Sequence, residues 1–278
     1  MHTPGTLVLV ATPIGNLGDI SVRAAEALKA ADIIYCEDTR RSRQLLTHLG
    51  IRGQKLASLH EHNEDARVAA VLEQLAAGQM AALVSDTGMP VIADPGRRLV
   101  AAVAGAGNQV TAIPGANAAL MALAISGLPA ERFAFEGFLP PSGSARTRRL
   151  EAVAESPQTT ILYESPRRVA RTLADLGRLC DPDRPVAITR ELTKLHEEVW
   201  RGTLGAAQEY LDATPPRGEY TLVLGGATDT PELINDDKIT TLLQEQLATG
   251  ASRRSAVDRV TAELGVPRKR VYALALQL

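Results

Sequence analysis

At 278 residues the chain has room for one large domain or two ordinary ones, and with 45% apolar but only 3% aromatic residues its core must be built from Ala, Val and Leu. Thirty Lys/Arg against 32 Asp/Glu leave it near neutral, so no global field marks a polyanionic partner, although basic residues gathered on one face would still serve one. Cys36 and Cys180 exclude a disulfide framework and a cysteine metal site, the N-terminus MHTPGTLVLVATPIG lacks a basic leader region, and no apolar run nears the roughly 18 residues of a membrane span, which together predict a cytoplasmic protein without a membrane partner.

In chain order, short β-rich runs recur: TLVLVA (6–11), ADIIYC (31–36), AALVS (81–85), QVTAIP (109–114), TTILYE (159–164), PVAITREL (185–192) and EYTLVLGG (219–226). Helical stretches with apolar residues every three or four positions lie between most of them: SVRAAEALKAA, DARVAAVLEQLAAG, RRLVAAVAGAG, ANAALMALAISG and RRVARTLADLGRL. The alternation predicts an α/β fold with largely parallel sheets. Punctuation at Gly127 and Pro129 divides the runs into an N-terminal α/β domain over 1–122 and a second over 123–228. The polar stretch 226–237 reads as a linker, and 238–278 as a small helical unit.

Three of the runs end in the same kind of turn: TPIGN (12–16), SDTGMPVIADPG (85–96) and IPGANAA (113–119). Ligands of parallel sheets bind beyond the carboxyl ends of the strands, and small residues there free the main chain to make the contacts. One such turn is ordinary βα geometry, whereas three together predict a ligand site. GxGxxG and GxxxxGK[ST] are both missing, and the turns carry Asp86 and Asp94 without a nearby Lys. A cationic or hydroxyl-rich ligand suits them better than a phosphate, and a sulfonium nucleoside such as S-adenosylmethionine has that profile.

VATPIGNLGDIS, EDTRRSRQLL, LHEHNE, SDTGMPVIADPG, IPGANAAL, FEGFLP, YESPRRV and RELTKLHEE follow one another in this order. The set resembles the tetrapyrrole methylase superfamily and, within it, the bacterial enzymes that methylate the 2'-oxygen of a cytidine ribose in small-subunit ribosomal RNA. The resemblance implies two α/β domains closing on an S-adenosylmethionine cleft, a homodimer, and an RNA substrate, met within the assembled subunit. By motif position it assigns the donor contacts to Ile14, Val84, Ser85, Asp86, Met89, Asn117, Ala118, Glu164, Leu192 and Thr221. The fourth motif departs from the usual PGP followed by Ser or Cys, reading Pro114, Gly115, Ala116 and Asn117, so main-chain contacts carry over but a role for the Asn117 side chain does not.

A ribose hydroxyl is a poor nucleophile, and a positioned base adds roughly 10²–10⁴-fold. Candidates are His60, Glu61 and His62 in LHEHNE, Glu37 and Asp38 in CEDTR, and Lys194 in RELTK; from these the catalytic set is His60, Glu61 and Lys194. Glu37 and Asp38 read equally as a helix cap. Lys194 is a base only if its pKa is lowered, and otherwise orients a phosphate or the hydroxyl. His60 and His62 would share one face of a strand, but no third ligand accompanies them and no metal is expected.

Basic residues cluster at Arg40, Arg41 and Arg43, at Arg146, Arg148 and Arg149, and at Arg167, Arg168 and Arg171. The segment LPPSGSARTRR is predicted to be mobile and to clasp a backbone. Few aromatics accompany them, which favours recognition of RNA shape and phosphates over base stacking. The C-terminal unit reads as a helix-turn-helix with Arg268, Lys269 and Arg270 heading its last helix. RNA contacts are therefore expected from Arg40, Arg41, Arg146, Arg148, Arg149, Arg268, Lys269 and Arg270. Two rival readings are a methylase of a tetrapyrrole or other small molecule, and a DNA-binding regulator whose α/β region senses a metabolite.

Overall fold

The computed structural model describes residues 5–278 except 61, 214, 228–235, 265 and 267, so Glu61, most of the expected linker and part of the LGVP turn fall outside the described residues. Residues 1–226 form one compact unit and 227–278 another.

The larger unit holds two five-stranded sheets. In the first, β1 (Thr6–Val10), β2 (Ile33–Cys36), β3 (Lys55–Ser58), β4 (Met80–Val84) and β5 (Gln109–Ile113) run parallel in the order β3-β2-β4-β1-β5. Side chains alternate between its faces with period 2. Val8, Val10 and Val84 pack against α1 (Val22–Ala30) and α2 (Thr39–His48), while Leu7, Leu9 and Leu83 pack against α3 (Glu64–Ala76) and α4 (Arg97–Gly105). Both faces are covered at the centre of the sheet, which is why β1 and β4 read as unbroken apolar runs.

The second sheet comprises β6 (Phe133–Phe138), β7 (Thr159–Glu164), β8 (Pro185–Arg190), β9 (Glu198–Thr203) and β10 (Tyr220–Leu224), in the order β6-β7-β10-β8-β9. Only β6 and β7 are parallel; the pairs β7–β10, β10–β8 and β8–β9 are antiparallel, so the expectation of largely parallel sheets holds for the first sheet and fails for the second. One face is covered by α6 (Gly143–Glu155), α7 (Val169–Leu179) and α8 (Leu204–Ala213). The other receives α5 (Ala118–Ser126), the helix that straddles the expected 122/123 boundary. Its Ala119, Ala122 and Leu123 join Ile161, Ala187 and Val223 in a cluster that also takes in Ile14 and Leu192. A turn of the first sheet and a loop of the second thus share one apolar core.

The segment expected to be mobile is instead α6, whose Leu150 and Val153 are buried. The C-terminal unit is three helices, α9 (Asp236–Ala248), α10 (Arg253–Leu264) and α11 (Arg268–Ala275), around Ile239, Leu243, Val257, Val260 and Val271. Among the described residues no helix is long and apolar enough to cross a membrane.

Candidate functional site

The strands β4, β1 and β5 are neighbours, so the three Gly/Pro turns leave the sheet side by side. Thr12 and Gly88 exchange two backbone hydrogen bonds of 2.9 and 3.1 Å, and Thr12 Oγ1 donates to the Ser85 carbonyl at 3.1 Å. Gly88 has φ +81°, and a Cβ there would lie 3.2 Å from Ile14 Cγ2 and 3.5 Å from the Ala116 carbonyl oxygen. All three turns therefore meet around one glycine. Gly115 is as tightly placed, since a Cβ on it would come within 2.7 Å of the Ala11 Cβ.

Among the described residues, four non-glycine positions have positive φ: Val91 at 76°, Ala93 at 62°, Glu191 at 50° and Thr193 at 66°. Two lie in the SDTGMPVIADPG turn and two in the RELTK loop. Such conformations cost on the order of 1–3 kcal/mol each and persist only where the surroundings enforce them. Here Ser85 Oγ donates to Asp94 Oδ2 at 2.5 Å and accepts from the Thr87 amide at 3.1 Å. Thr193 N donates to Glu197 at 2.5 Å, and Asn16 N donates to Thr193 Oγ1 at 3.1 Å, tying the TPIGN turn to RELTK.

Between these loops opens a cleft of about 270 Å3, just below the roughly 300–1,000 Å3 usual for small-molecule sites. Six of the ten expected donor contacts line it: Ile14, Met89, Asn117, Ala118, Glu164 and Thr221. The other four lie behind the wall. Val84 is core, and Leu192 packs with Ile14. Ser85 braces the turn, and Asp86 accepts from the Asp38 amide at 3.0 Å and faces Arg41 at 3.6 Å. Glu164 is only 2% exposed, and its carboxylate is taken up by the Ser165 amide, Thr172 Oγ1 at 2.7 Å and Arg168, so it organises the wall. Asn117 Oδ1 caps α5 through the Leu120 amide at 3.0 Å, which leaves that residue its main chain for a ligand.

The cleft residues missing from the expected contact set include Asp94, Phe138 and Tyr163. The aromatic pair had a signal, because all three phenylalanines of the chain sit on β6; Phe138 stands 5.5 Å from the Tyr163 ring. Burial pushes the Asp94 carboxyl above its ordinary value, against the pull of the Ser85 hydroxyl, and Glu37 and Asp86 add to the rise. The cleft thus joins apolar and aromatic walls, exposed main chain and the carboxylates of Asp94, Glu164 and Glu219, with no Lys or Arg among its described lining residues. That set fits a cationic nucleoside and disfavours a polyphosphate.

Of the expected bases, Lys194 does not meet its own condition. Partial burial works to lower its pKa, but hydrogen bonds from its ammonium to Glu191 at 2.8 Å and Glu219 at 3.0 Å, with the charge of both, hold it above the ordinary lysine value. It is a permanent cation, with its stem pressed against Gly15. His60 and His62 follow β3 in a turn, with ring centroids 6.1 Å apart, so the shared face they would have on a strand does not arise. Neither lines the cleft, and His60 Nδ1 is buried without a hydrogen bond among the described residues. Asp38 caps α2 through the Arg40 amide at 2.8 Å, and the Arg40 guanidinium beside it holds its carboxyl at about 2.

The basic residues divide by exposure. Arg40, Arg41, Arg148 and Arg149 are exposed. Arg149 pairs with Glu136, and Arg40 with Asp38. Arg146 cannot serve an RNA: it is 3% exposed, and its guanidinium is spent on Asp175 at 2.8 Å and Thr172 at 3.0 Å. In the C-terminal unit Arg268 meets Asp258 at 2.8 Å and Arg270 meets Asp236 at 2.8 Å, while Lys269 is exposed.

The family model for tetrapyrrole (corrin/porphyrin) methylases matches residues 6–208. A protein of Synechocystis sp. called ribosomal RNA small subunit methyltransferase I is 44% identical over 99% of this chain and 98% of its own length. One of the same name from Mycobacterium tuberculosis is 44% identical over 98% and 95%. Among solved structures, a cobalt precorrin-4 methyltransferase superposes with a TM-score of 0.60 at 16% identity, over 80% of this chain and 94% of its own. A uroporphyrin-III C-methyltransferase from Thermus thermophilus, complexed with S-adenosyl homocysteine, gives 0.54 at 19% identity, over 79% and 96%. The chain belongs to the tetrapyrrole (corrin/porphyrin) methylase family, and its near full-length relatives carry the name ribosomal RNA small subunit methyltransferase I.

Proposed function

We propose that the protein transfers a methyl group from S-adenosylmethionine to the 2'-oxygen of a cytidine ribose in small-subunit ribosomal RNA, acting in the cytoplasm as a homodimer. The observation that carries the reading is the meeting of three strand-end turns around Gly88, beside a cleft whose walls suit a nucleoside cation. Near full-length identity of 44% to relatives named for ribosomal RNA supports the acceptor class. Exposed Leu120, on α5, would offer a second copy apolar surface.

When bound, the sulfonium donor supplies an intrinsically reactive methyl group. The chain's contribution is placement, because aligned reactants account for most of the acceleration in such a displacement. Ile14, Met89 and Ala118 offer an apolar wall, and the strained turns fix the main chain before any ligand arrives. Lys194, held charged, orients a phosphate or hydroxyl and takes no proton. Arg40, Arg41, Arg148 and Arg149 on the larger unit, and Arg268, Lys269 and Arg270 on the smaller, serve as phosphate contacts. Their exposed ion pairs are worth only about 0–1 kcal/mol each, so a phosphate can replace the partner at little cost.

The test is to incubate the full chain with labelled S-adenosylmethionine and assembled small subunits, naked ribosomal RNA or tetrapyrrole precursors, and then map the label. Label on a cytidine ribose supports the reading. Label on a macrocycle transfers the chain to the small-molecule methylases, and no label on any acceptor favours a metabolite-sensing regulator.

A further inference from the structure

A second cavity, of about 700 Å3, opens beside the donor cleft, and Ala93 and Asp94 belong to the walls of both. It is polar where the first is largely apolar. Glu37 enters it from the end of β2, Glu64 from the start of α3, and Arg97 and Arg98 from the start of α4. Glu64 is structural: it is 4% exposed, accepts from the Leu99 amide at 2.9 Å and holds Arg98 at 3.5 Å. Arg97 differs, being exposed and without an ion-pair partner among the described residues.

We propose that this second pocket seats the acceptor ribose and its adjoining phosphate, with Arg97 pairing the phosphate and Asp94 turned to the hydroxyl that receives the methyl. The inference rests on the methyl-transfer reading above and specifies its acceptor side. Displacement at a methyl group needs the attacking oxygen and the leaving sulfur on opposite sides of one point. Asp94 stands where ligands of the two cavities would meet. The other carboxylates of the donor cleft are committed, Glu164 to Arg168 and Thr172, and Glu219 to Lys194. Asp94 spends only Oδ2 on Ser85, so Oδ1 is left for a donor, and the left-handed backbone of Ala93 fixes its aim.

In the step, the ribose O–H proton passes to Asp94 Oδ1 and the oxygen lone pair forms the new O–CH3 bond. The electron pair of the broken S–CH3 bond stays on sulfur and discharges the sulfonium. Burial, against the Ser85 hydrogen bond, and then the facing carboxylates Glu37 beyond β2 and Asp86 beyond β4 raise the Asp94 carboxyl above its ordinary value, which makes it a better proton acceptor. Tyr163 from β7 and the guanidinium groups of Arg97 and Arg98 from α4 complete its charged and titratable surroundings.

The experiment uses the full chain, small subunits lacking the methyl group as acceptor, and S-adenosylhomocysteine as the probe of the donor site. Arg97→Ala, an exposed change that spares the fold, is expected to weaken subunit binding at least fivefold and to reduce its salt slope by about one phosphate contact. Its affinity for S-adenosylhomocysteine should stay within twofold, and Arg97→Lys should recover most of the loss. Asp94→Asn is expected to lower kcat by about 10²–10⁴-fold and remove the acid limb of its pH profile, with both binding affinities held within threefold; Glu37→Gln should keep that limb. The proposal is overturned if Arg97→Ala leaves subunit affinity and salt slope unchanged. It is also overturned if Asp94→Asn keeps kcat, or loses S-adenosylhomocysteine binding in the same proportion as rate. A wild-type chain that labels no subunit RNA removes the methyl-transfer reading and this pocket with it; a labelling wild type with unresponsive variants removes the pocket alone.

Discussion

Gly115→Ala tests whether the strand-end turns act together. The added Cβ would sit 2.7 Å from the Ala11 Cβ, whereas carbon atoms rest about 3.5–4.0 Å apart, so the IPGAN turn must back away from TPIGN by roughly 1 Å. A shift of that size in a positioning element costs up to about 10²-fold in rate, or about 2.7 kcal/mol of transition-state stabilisation. Crowding of this kind also takes about 1–3 kcal/mol from stability. Methyl transfer to small subunits, titration calorimetry with S-adenosylhomocysteine and thermal melting would be measured on the same preparation. The expected result is a folded protein with lowered melting temperature and about a hundredfold lower kcat/KM. Gly105→Ala is the control: it ends α4 with nothing within 4 Å of the new methyl, and it should leave all three unchanged or slightly improved. Wild-type donor affinity and rate in Gly115→Ala would refute the claim that the turns' close approach shapes the site.

Asn117→Ala removes the cap of α5 and should cost about 1 kcal/mol of stability by denaturant titration, with S-adenosylhomocysteine affinity changed less than threefold because only main chain is offered there. Arg146→Ala removes the buried partner of Asp175 and leaves it only the exposed Arg171 and Arg178, which should destabilise by about 1–3 kcal/mol, whereas Arg148→Ala should leave stability alone and weaken RNA binding in a salt-dependent way. Burial works to raise the Glu191 carboxyl, but the Lys194 hydrogen bond, the Glu219 amide and the charges of Lys194 and Arg190 bring it below the ordinary glutamate value. Its contribution to stability is therefore present above the ordinary pKa and lost as pH falls through the depressed one, and Glu191→Gln should flatten the acid side of a melting-temperature profile.

The centre of the first sheet was legible because both its faces are buried, so β1 and β4 appear as apolar runs ending in Gly/Pro turns, and the edge strand β5 showed itself by the IPGAN turn that follows it. The second sheet's direction was not, since local composition says nothing about which strands β10 joins, and its insertion between β7 and β8, antiparallel to both, rests on contacts distant in sequence. β3 has only four residues, and β9 is an edge strand with a Gly and an Arg in it. The α6 helix was hidden by Arg146, a polar letter on a buried face, whose partner Asp175 lies 29 residues further on. The same limit explains the two aspartates of one turn. Asp86 turns to the Asp38 amide and Asp94 to the cleft because Val91 and Ala93 adopt left-handed backbone, which residues other than Gly do not announce.

The most direct test is a crystal structure of the full chain with S-adenosylhomocysteine. The nucleoside is expected between the TPIG, SDTG and PGAN turns, against Ile14, Met89 and Ala118, held chiefly by main-chain groups, with its sulfur toward Asp94. Density for the ligand on another surface, or a ligand gripped by arginine and lysine side chains away from these turns, would contradict the account.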